Sequence, residues 1–183
     1  MKDIKEASFS TVVVKDLEKD GIIDRIKPGL YRIANLEYPD EVSLGFVDAA
    51  RAIPTGVICL ISALSHYELT TFNPSKIFIA VGNQTYAPKI IYPPVEIFYF
   101  RHRFHKPGIE VIKTKYGDVK IYSREKTVCD MFRYRNKFGE DIALEGLKNY
   151  VGYKYANLEK LREFAEICRV KRVMMPYLKA MVN

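Results

Sequence analysis

The chain has 183 residues, 48% of them apolar and 28% charged, a balance that predicts an ordinary hydrophobic core in one domain, or in a small module plus a larger domain. Its apolar runs stay short of the ~18 residues that span a bilayer, and MKDIKEASFS does not resemble a signal peptide, so we expect a cytoplasmic protein with no membrane partner. The formal net charge of +7 is concentrated in residues 101–183, which carry +9 and are expected to attract nucleic acid or an acidic protein, with solubility alone as the alternative.

The first predicted unit is a helix followed at once by a β-hairpin. The helix covers FSTVVVKDLEKD and ends at Gly21, a residue type favoured just after a helix. In GIIDRIKPGLYRIA, two apolar-alternating runs flank the turn residues Lys27-Pro28-Gly29. A helix with a hairpin directly behind it is typical of the second half of a winged helix-turn-helix, in which the helix enters the major groove and the wing contacts phosphates.

Short hydroxyls and cations are the side chains that could contact DNA from this unit. We expect Val12, Val13 and Leu17 to face inward and the polar face of the helix to face DNA. The candidate DNA contacts are Ser8, Ser10, Thr11, Lys15 and Lys19 on the helix, and Arg25, Lys27 and Arg32 on the hairpin. Residues 1–33 carry a net charge of only +1, so an ordinary structural hairpin is the alternative.

The remainder of the chain is predicted to be one α+β domain over residues 36–183, preceded by the partial winged helix in residues 1–35. Two helices come first, one ending before Pro54 and a very apolar one from Val57 to Leu69. Four short β-branched and aromatic runs follow and should form a small, mostly antiparallel sheet: KIFIAV, VEIFYF, IEVIKT and VKIYS. C-terminal helices complete the domain.

The first helix after these strands is expected to pack on the sheet. Ser123 is a plausible N-cap, and Gly139 ends the helical pattern. Val128, Met131 and Phe132 fall at i, i+3 and i+4 and form an apolar stripe.

A basic patch is predicted where a strand end and this helix meet. If the sheet brings the two groups together, they form one electropositive surface suited to nucleic acid or an acidic protein. Its residues are Arg101, Arg103, His105, Lys106, Arg133, Arg135 and Lys137. The alternative is pairwise neutralisation by Glu96, Glu110, Asp130 and Glu140.

Few residues are arranged for catalysis or metal binding. The sequence contains neither G-x-x-x-x-G-K-[ST] nor G-x-G-x-x-G, and its three cysteines never form a C-x-x-C pair. Ser62 and His66 are four residues apart in an apolar helix, which favours a hydrogen-bonded core pair over a nucleophile and its base. We therefore predict no metal site, no cofactor and no disulfide.

One enzymatic alternative remains, a metal-dependent nucleic-acid-processing enzyme. Glu110, Asp118 and Lys120 could gather on paired strands, where the acids would hold a metal ion and the lysine would steady the attacking water. Such pairs also occur as cross-strand ion partners on a solvated face.

Segments spread over most of the chain resemble the AbiEi-type antitoxins of type IV abortive-infection toxin–antitoxin systems. They are KDLEKDGIIDRIKPGLYRI with its G-x-Y-R wing, PTGVICLISALSHYELTT with its SAL helix, PSKIFIAV, and VKIYSREKTVCDMFRYRNKFGEDIALEGLKNYV with its KTVCD helix. The resemblance implies a non-enzymatic phage-defence protein that represses its own operon by binding inverted repeats through the winged helix. It also implies a nucleotidyltransferase-like toxin, which the antitoxin opposes without a stable complex.

The sequence departs from that family at its start. Members usually carry two more helices before the recognition helix, whereas here seven residues precede Ser8. We expect either a truncated start or a protein that has lost autonomous DNA binding. The apolar face of the helix would then pack on the second domain or on a partner chain.

Overall fold

A computed structural model of the protein describes residues 10–34 and 44–182. The first unit contains α1 (Thr11–Lys19), β1 (Ile23–Lys27) and β2 (Leu30–Ile33). The second begins with α2 (Leu44–Ala52), β3 (Val57–Ile58), α3 (Leu60–His66), β4 (Ile77–Gly82), β5 (Val95–Phe100), α4 (His102–His105), β6 (Ile109–Thr114) and β7 (Gly117–Tyr122). It ends with α5 (Arg124–Arg133), α6 (Arg135–Phe138), α7 (Glu140–Val151), α8 (Leu158–Ile167) and α9 (Lys171–Val182). The predicted α+β class is confirmed.

The predicted helix and hairpin of the first unit are confirmed. The Ser10 hydroxyl accepts a hydrogen bond from the Val13 N–H at 3.3 Å and caps α1. After α1, Gly21 takes a φ of +69°, and β1 pairs antiparallel with β2. The expected inward face of α1 is wrong for Val12 and Val13, which are 64% and 40% exposed, whereas Leu17 is half-buried. The buried residue of the helix is Val14, which faces the hairpin and lines the cavity between the two.

A five-stranded sheet organises the second unit, with strand order β5-β4-β3-β7-β6. The prediction of a mostly antiparallel sheet is wrong: β4–β5 and β3–β7 are parallel, while β3–β4 and β6–β7 are antiparallel. The parallel pair β3–β7 was missed because the two-residue strand β3 lies in an apolar run from Val57 that also suits the start of a helix. Leu60 takes a φ of +50° just after β3, and α3 begins at that residue.

Two hydrophobic layers cover the two faces of this sheet. The C-terminal helices cover one face, and the predicted stripe of Val128, Met131 and Phe132 is fully buried there, as expected. The Ser123 hydroxyl caps α5 by accepting from the Lys126 N–H at 3.3 Å, which confirms the predicted N-cap.

The opposite face carries α2 and the β1–β2 hairpin. Ile26 of β1 is 1% exposed and belongs to the same hydrophobic cluster as Phe46 of α2 and Ile121 of β7. The Ile26 carbonyl also accepts a hydrogen bond from the Ile91 N–H at 2.8 Å. These contacts fix the position of the hairpin against the second unit.

Candidate nucleic-acid interface

Arg32 joins the hairpin to α2. Its guanidinium donates to Asp24 at 2.8 Å and to Asp48 at 2.9 Å, and it lies 4.7 Å from the centre of the Tyr92 ring. The Arg32 side chain is 14% exposed. Burial opposes its charge, but the hydrogen bond with Asp24 and the charge of Asp48 raise the Arg32 pKa above its ordinary value. Because two carboxylates of the protein bind this guanidinium, Arg32 is not a candidate for DNA contact.

Lys27 makes a second link between the hairpin and α2. Its Nζ donates to the Ala52 carbonyl at 2.7 Å, at the C-terminal end of α2. A cation there satisfies a carbonyl that has no partner within the helix and interacts favourably with the helix dipole. Arg32 and Lys27 together hold the hairpin at a fixed position relative to α2.

A cavity of about 530 Å³ lies between α1 and the hairpin, and we call it the basic groove. Four cations and one carboxylate line it: Lys15, Arg25, Lys27, Arg51 and Glu18. In the described part of the chain, the buried Nε–H of Arg25 has no hydrogen-bond acceptor. A buried donor without an acceptor is costly.

The other predicted contacts on α1 differ in their positions. Thr11 also lines the basic groove, and the exposed Ser10 serves as the N-cap. Lys19 is exposed at the C-terminal end of α1. Ser8 lies outside the described residues.

The helical half of the predicted basic patch is largely engaged within the fold. Arg133 Nε lies 3.4 Å from the Asp130 carboxylate, and its guanidinium lies over Phe100 at 4.3 Å. Lys137 pairs with Glu96 at 2.7 Å. Arg135 donates to the Phe132 carbonyl at 2.8 Å. The neutralising partners expected for this half are therefore present for Arg133 and Lys137.

The half of the patch on and beside α4 is largely exposed rather than engaged within the fold. Arg101, Arg103 and Lys106 are exposed, and none forms an ion pair with any residue that the structure describes. The two halves meet at Phe104, whose ring contacts Arg103 at 5.1 Å and Arg133 at 4.4 Å.

His105 does not add a full charge to this surface. Burial lowers its pKa, and the nearby charges of Lys126 and Lys120 lower it further, against a hydrogen bond with the Ala80 backbone. The neutral imidazole is therefore favoured at neutral pH.

Two further cations, which sequence reasoning did not assign to DNA, lie in or beside the basic groove. Arg51 lines the basic groove and also a neighbouring cavity of about 350 Å³, which it shares with Lys120. Lys120 donates to the Pro54 carbonyl at 2.9 Å, and its charge acts on His105 of α4. We call the resulting set the basic strip: Lys15, Arg25, Arg51, Lys120, Arg101, Arg103 and Lys106. Arg51 and Lys120 share a cavity only because β7 packs beside α2, a contact for which no local sequence signal exists.

The structure separates the three residues of the enzymatic alternative. The Glu110 carboxylate lies 3.4 Å from the Tyr67 hydroxyl oxygen and 3.8 Å from the Lys160 ammonium. It is level with Ile121 in the β6–β7 ladder, so strand alternation places it on the face opposite Lys120. Asp118 and Lys120 share one cavity without Glu110. In the described ranges, no three His, Cys, Asp or Glu side chains are grouped to hold a metal ion.

Ser62 is a core residue that joins α3 to β4. Its hydroxyl accepts from the Phe78 N–H at 2.9 Å and donates to the Lys76 carbonyl at 3.4 Å. Both contacts are with backbone groups of the segment that contains β4, which gives the hydroxyl a structural role.

No protein-family model matches this chain, and no curated protein is detectably similar to it. Over the residues that the structure describes, no helix is long and apolar enough to cross a membrane.

Proposed function

We propose that this chain is a cytoplasmic DNA-binding regulator, the antitoxin and transcriptional repressor of a type IV, AbiEi-like toxin–antitoxin operon. The observation that carries the DNA-binding part is the basic groove, to which α1, the hairpin and α2 contribute Lys15, Arg25 and Arg51, besides Lys27, whose ammonium is bound to the Ala52 carbonyl. The segments that resemble AbiEi-type antitoxins support the assignment to a toxin–antitoxin system.

In this proposal, α1 is the recognition helix and the β1–β2 hairpin is the wing of a partial winged helix-turn-helix. Lys15 and Arg25 contact phosphates from the two walls of the groove, and Arg51 adds a contact from α2. Because Arg32 and Lys27 attach the wing to α2, the wing already has a fixed position relative to α2 before DNA binds. Little ordering of the wing is then required on binding.

The rest of the basic strip would extend the contact beyond the winged helix. Arg101, Arg103 and Lys106 are exposed long cations, which attract phosphates without reading base sequence. This part of the surface supplies sequence-independent affinity and strong salt dependence, while base recognition belongs to α1.

The proposed toxin is nucleotidyltransferase-like and is opposed without a stable complex, as the resemblance implies. The proposal assigns the chain no catalytic residue. We do not extend it to a nuclease, because Glu110 contacts Tyr67 and Lys160 apart from Asp118 and Lys120.

The DNA-binding part is tested by measuring the affinity of the full chain for the duplex upstream of its own gene and for an unrelated duplex of equal length. We expect tighter binding to the upstream duplex and a steep loss of affinity for both duplexes as salt rises. Equal affinity for the two duplexes would overturn the repressor assignment, and a lack of binding to either at low salt would overturn DNA binding altogether.

The toxin–antitoxin part is tested by expressing the neighbouring reading frame with and without this chain. We expect growth arrest by the neighbour alone, recovery on co-expression, and no co-purification of the two proteins. Arrest that this chain does not relieve would contradict the antitoxin assignment while leaving the DNA-binding proposal intact.

A further inference from the structure

Arg124 lies in the first turn of α5, with its guanidinium between two tyrosine rings. The guanidinium carbon is 4.3 Å from the centre of the Tyr67 ring and 4.9 Å from that of Tyr153. Tyr67 is itself fixed, because its hydroxyl donates to the Tyr122 carbonyl at 2.9 Å. Cation–π contacts on both sides therefore hold the guanidinium in place.

In the described residues, the Arg124 side chain forms no hydrogen bond and no ion pair, and its Nε–H is buried without an acceptor. Buried donors of this kind call for an explanation, and Arg25 and Arg133 of this chain have them too.

Three other arginines of the described residues lie over aromatic rings and provide an internal comparison. Arg32 is paired with Asp48 at 2.9 Å, and Arg133 is 3.4 Å from Asp130. Arg103 lies over Phe104 without an ion pair in the described residues, but its side chain is exposed. Arg124 differs from all three, because it has no carboxylate at the guanidinium within the described part of the molecule while its Nε–H is buried.

A cavity of about 240 Å³ lies beside Arg124, with Tyr153, Leu69 and Asn149 among its lining residues. That volume suits one oxyanion group with a short attached tail rather than a large ligand. The neighbouring acids are engaged elsewhere: Glu110 with Tyr67 and Lys160, and Glu125 with Tyr150 and Lys160. The exposed Glu68 lines the same cavity and is a competing partner for the Arg124 guanidinium within the protein.

We propose that Arg124 binds the carboxylate or phosphate group of a small-molecule ligand in this cavity. The planar fork of a guanidinium matches either oxyanion through two parallel N–H···O bonds, and the two rings orient the fork beforehand. The site involves no residue of the basic strip and is independent of the proposed DNA binding.

The test is an NMR titration of the full chain, uniformly labelled with ¹⁵N, observing the Nε–H resonance of Arg124. R124K identifies that resonance, and R162K, at an exposed position of α8, is the matched control. Sodium phosphate and sodium acetate are added separately at constant ionic strength, with sodium chloride as the reference. We expect a saturable shift with half-saturation at about 1–10 mM, as befits a single charged contact.

The two anions distinguish the source of the oxyanion. Saturation by phosphate alone assigns a phosphate group, and saturation by acetate alone assigns a carboxylate. In either case R124K should weaken the binding of that anion at least tenfold, measured on neighbouring backbone amides, while R162K should leave it unchanged.

A wild-type resonance that neither anion moves in a saturable way would overturn the proposal. The same holds if R124K binds the anion as well as the wild type does. E68Q tests the internal competitor: if E68Q alone moves the Arg124 resonance, and neither anion moves it in either protein, Glu68 is the partner of Arg124 and the site takes no ligand.

Discussion

At the scale of single residues, the most consequential group is the Asp130 carboxylate at the centre of the helical layer. It is fully buried, and it forms ion pairs with the equally buried Lys126 and with Arg133, the latter at 3.4 Å. Cys168 Sγ lies 3.6 Å from the same carboxylate. Charges without solvent contact are tolerated only when they are paired.

Replacing Asp130 with asparagine should destabilise the protein strongly. D130N leaves the buried ammonium of Lys126 without its counter-charge, and breaking a buried pair in this way typically costs about 3–5 kcal/mol. The measurement is the free energy of unfolding from urea denaturation. E163Q, at an exposed position on α8, is the control and should stay within about 0.5 kcal/mol of the wild type. Similar stabilities of the two variants would contradict the assigned burial of the pair.

The three cysteines should be unreactive in the folded protein. Cys59, Cys129 and Cys168 are buried free thiols. Burial raises the pKa of each, that of Cys168 to about 12, so the nucleophilic thiolate is scarce at neutral pH. A thiol reagent such as DTNB should label none of them under native conditions and all three after denaturation. Rapid labelling of any one in the native state would contradict its placement.

At the scale of elements, the hairpin depends on α2. Asp48 of α2 is 2% exposed, and Arg32 of β2 is its main cationic partner. Burial raises the Asp48 pKa, and the positive charge of Arg32 opposes that rise. The hairpin is therefore attached to the second unit by electrostatics as well as by the burial of Ile26.

R32A should weaken the attachment of the hairpin to α2. It leaves the Asp48 carboxylate buried without Arg32, and we expect a loss of about 3 kcal/mol in the free energy of unfolding at neutral pH. Protonating Asp48 removes the unpaired charge, so the loss should shrink as the pH falls. The control is R172A on α9, where the arginine is exposed. A pH-independent effect of R32A no larger than that of R172A would refute this role.

Glu145 connects α7 to the segment after α3. Its carboxylate accepts hydrogen bonds from the Thr70 hydroxyl at 2.6 Å and from the Thr71 N–H at 2.9 Å. The bond from Thr70, followed by that from the Thr71 backbone, lowers the Glu145 pKa below its ordinary value of 4.5.

This shift makes the Glu145 contribution to stability depend on pH. A carboxyl whose pKa is lower in the folded state contributes stability that is fully present above its unfolded pKa and is lost as the pH falls through its folded pKa. E145Q should therefore have a lower free energy of unfolding than the wild type at pH 7. This difference should shrink as the pH falls below about 4.5. Urea denaturation at several pH values measures the difference. A difference that is constant with pH, or that widens in acid, would contradict the assignment.

At the scale of the whole molecule, local patterns predicted the elements better than their arrangement. The end of α1 before Gly21, the hairpin around Pro28 and the buried stripe of Val128 follow from helix-stop signals, turn chemistry and periodicity. The two-residue strand β3 did not, because Val57–Ile58 lies in an apolar run that also suits a buried helix.

The candidate surface depends on contacts between residues far apart in the chain, which no local pattern encodes. Arg32 looks like a free wing cation in the sequence, yet Asp48 engages it in the fold. Conversely, Arg51 carries no motif and becomes part of the basic groove only because the hairpin lies against α2. The number of cations in each region was predictable, whereas which of them reach solvent unpaired was set by tertiary packing.

The central claim is that the basic groove contacts DNA phosphates, and one paired comparison tests it directly. The measurement is the salt dependence of Kd for the duplex upstream of the gene, determined for the double variants R25A/R51A and R172A/K179A, which remove equal charge. The second pair is exposed on α9, far from the groove in the chain. We predict that R25A/R51A weakens binding at least tenfold and reduces the slope of log Kd against log salt by about 2, whereas R172A/K179A changes neither appreciably. Equal losses in the two variants would show that only net charge matters and would contradict the groove.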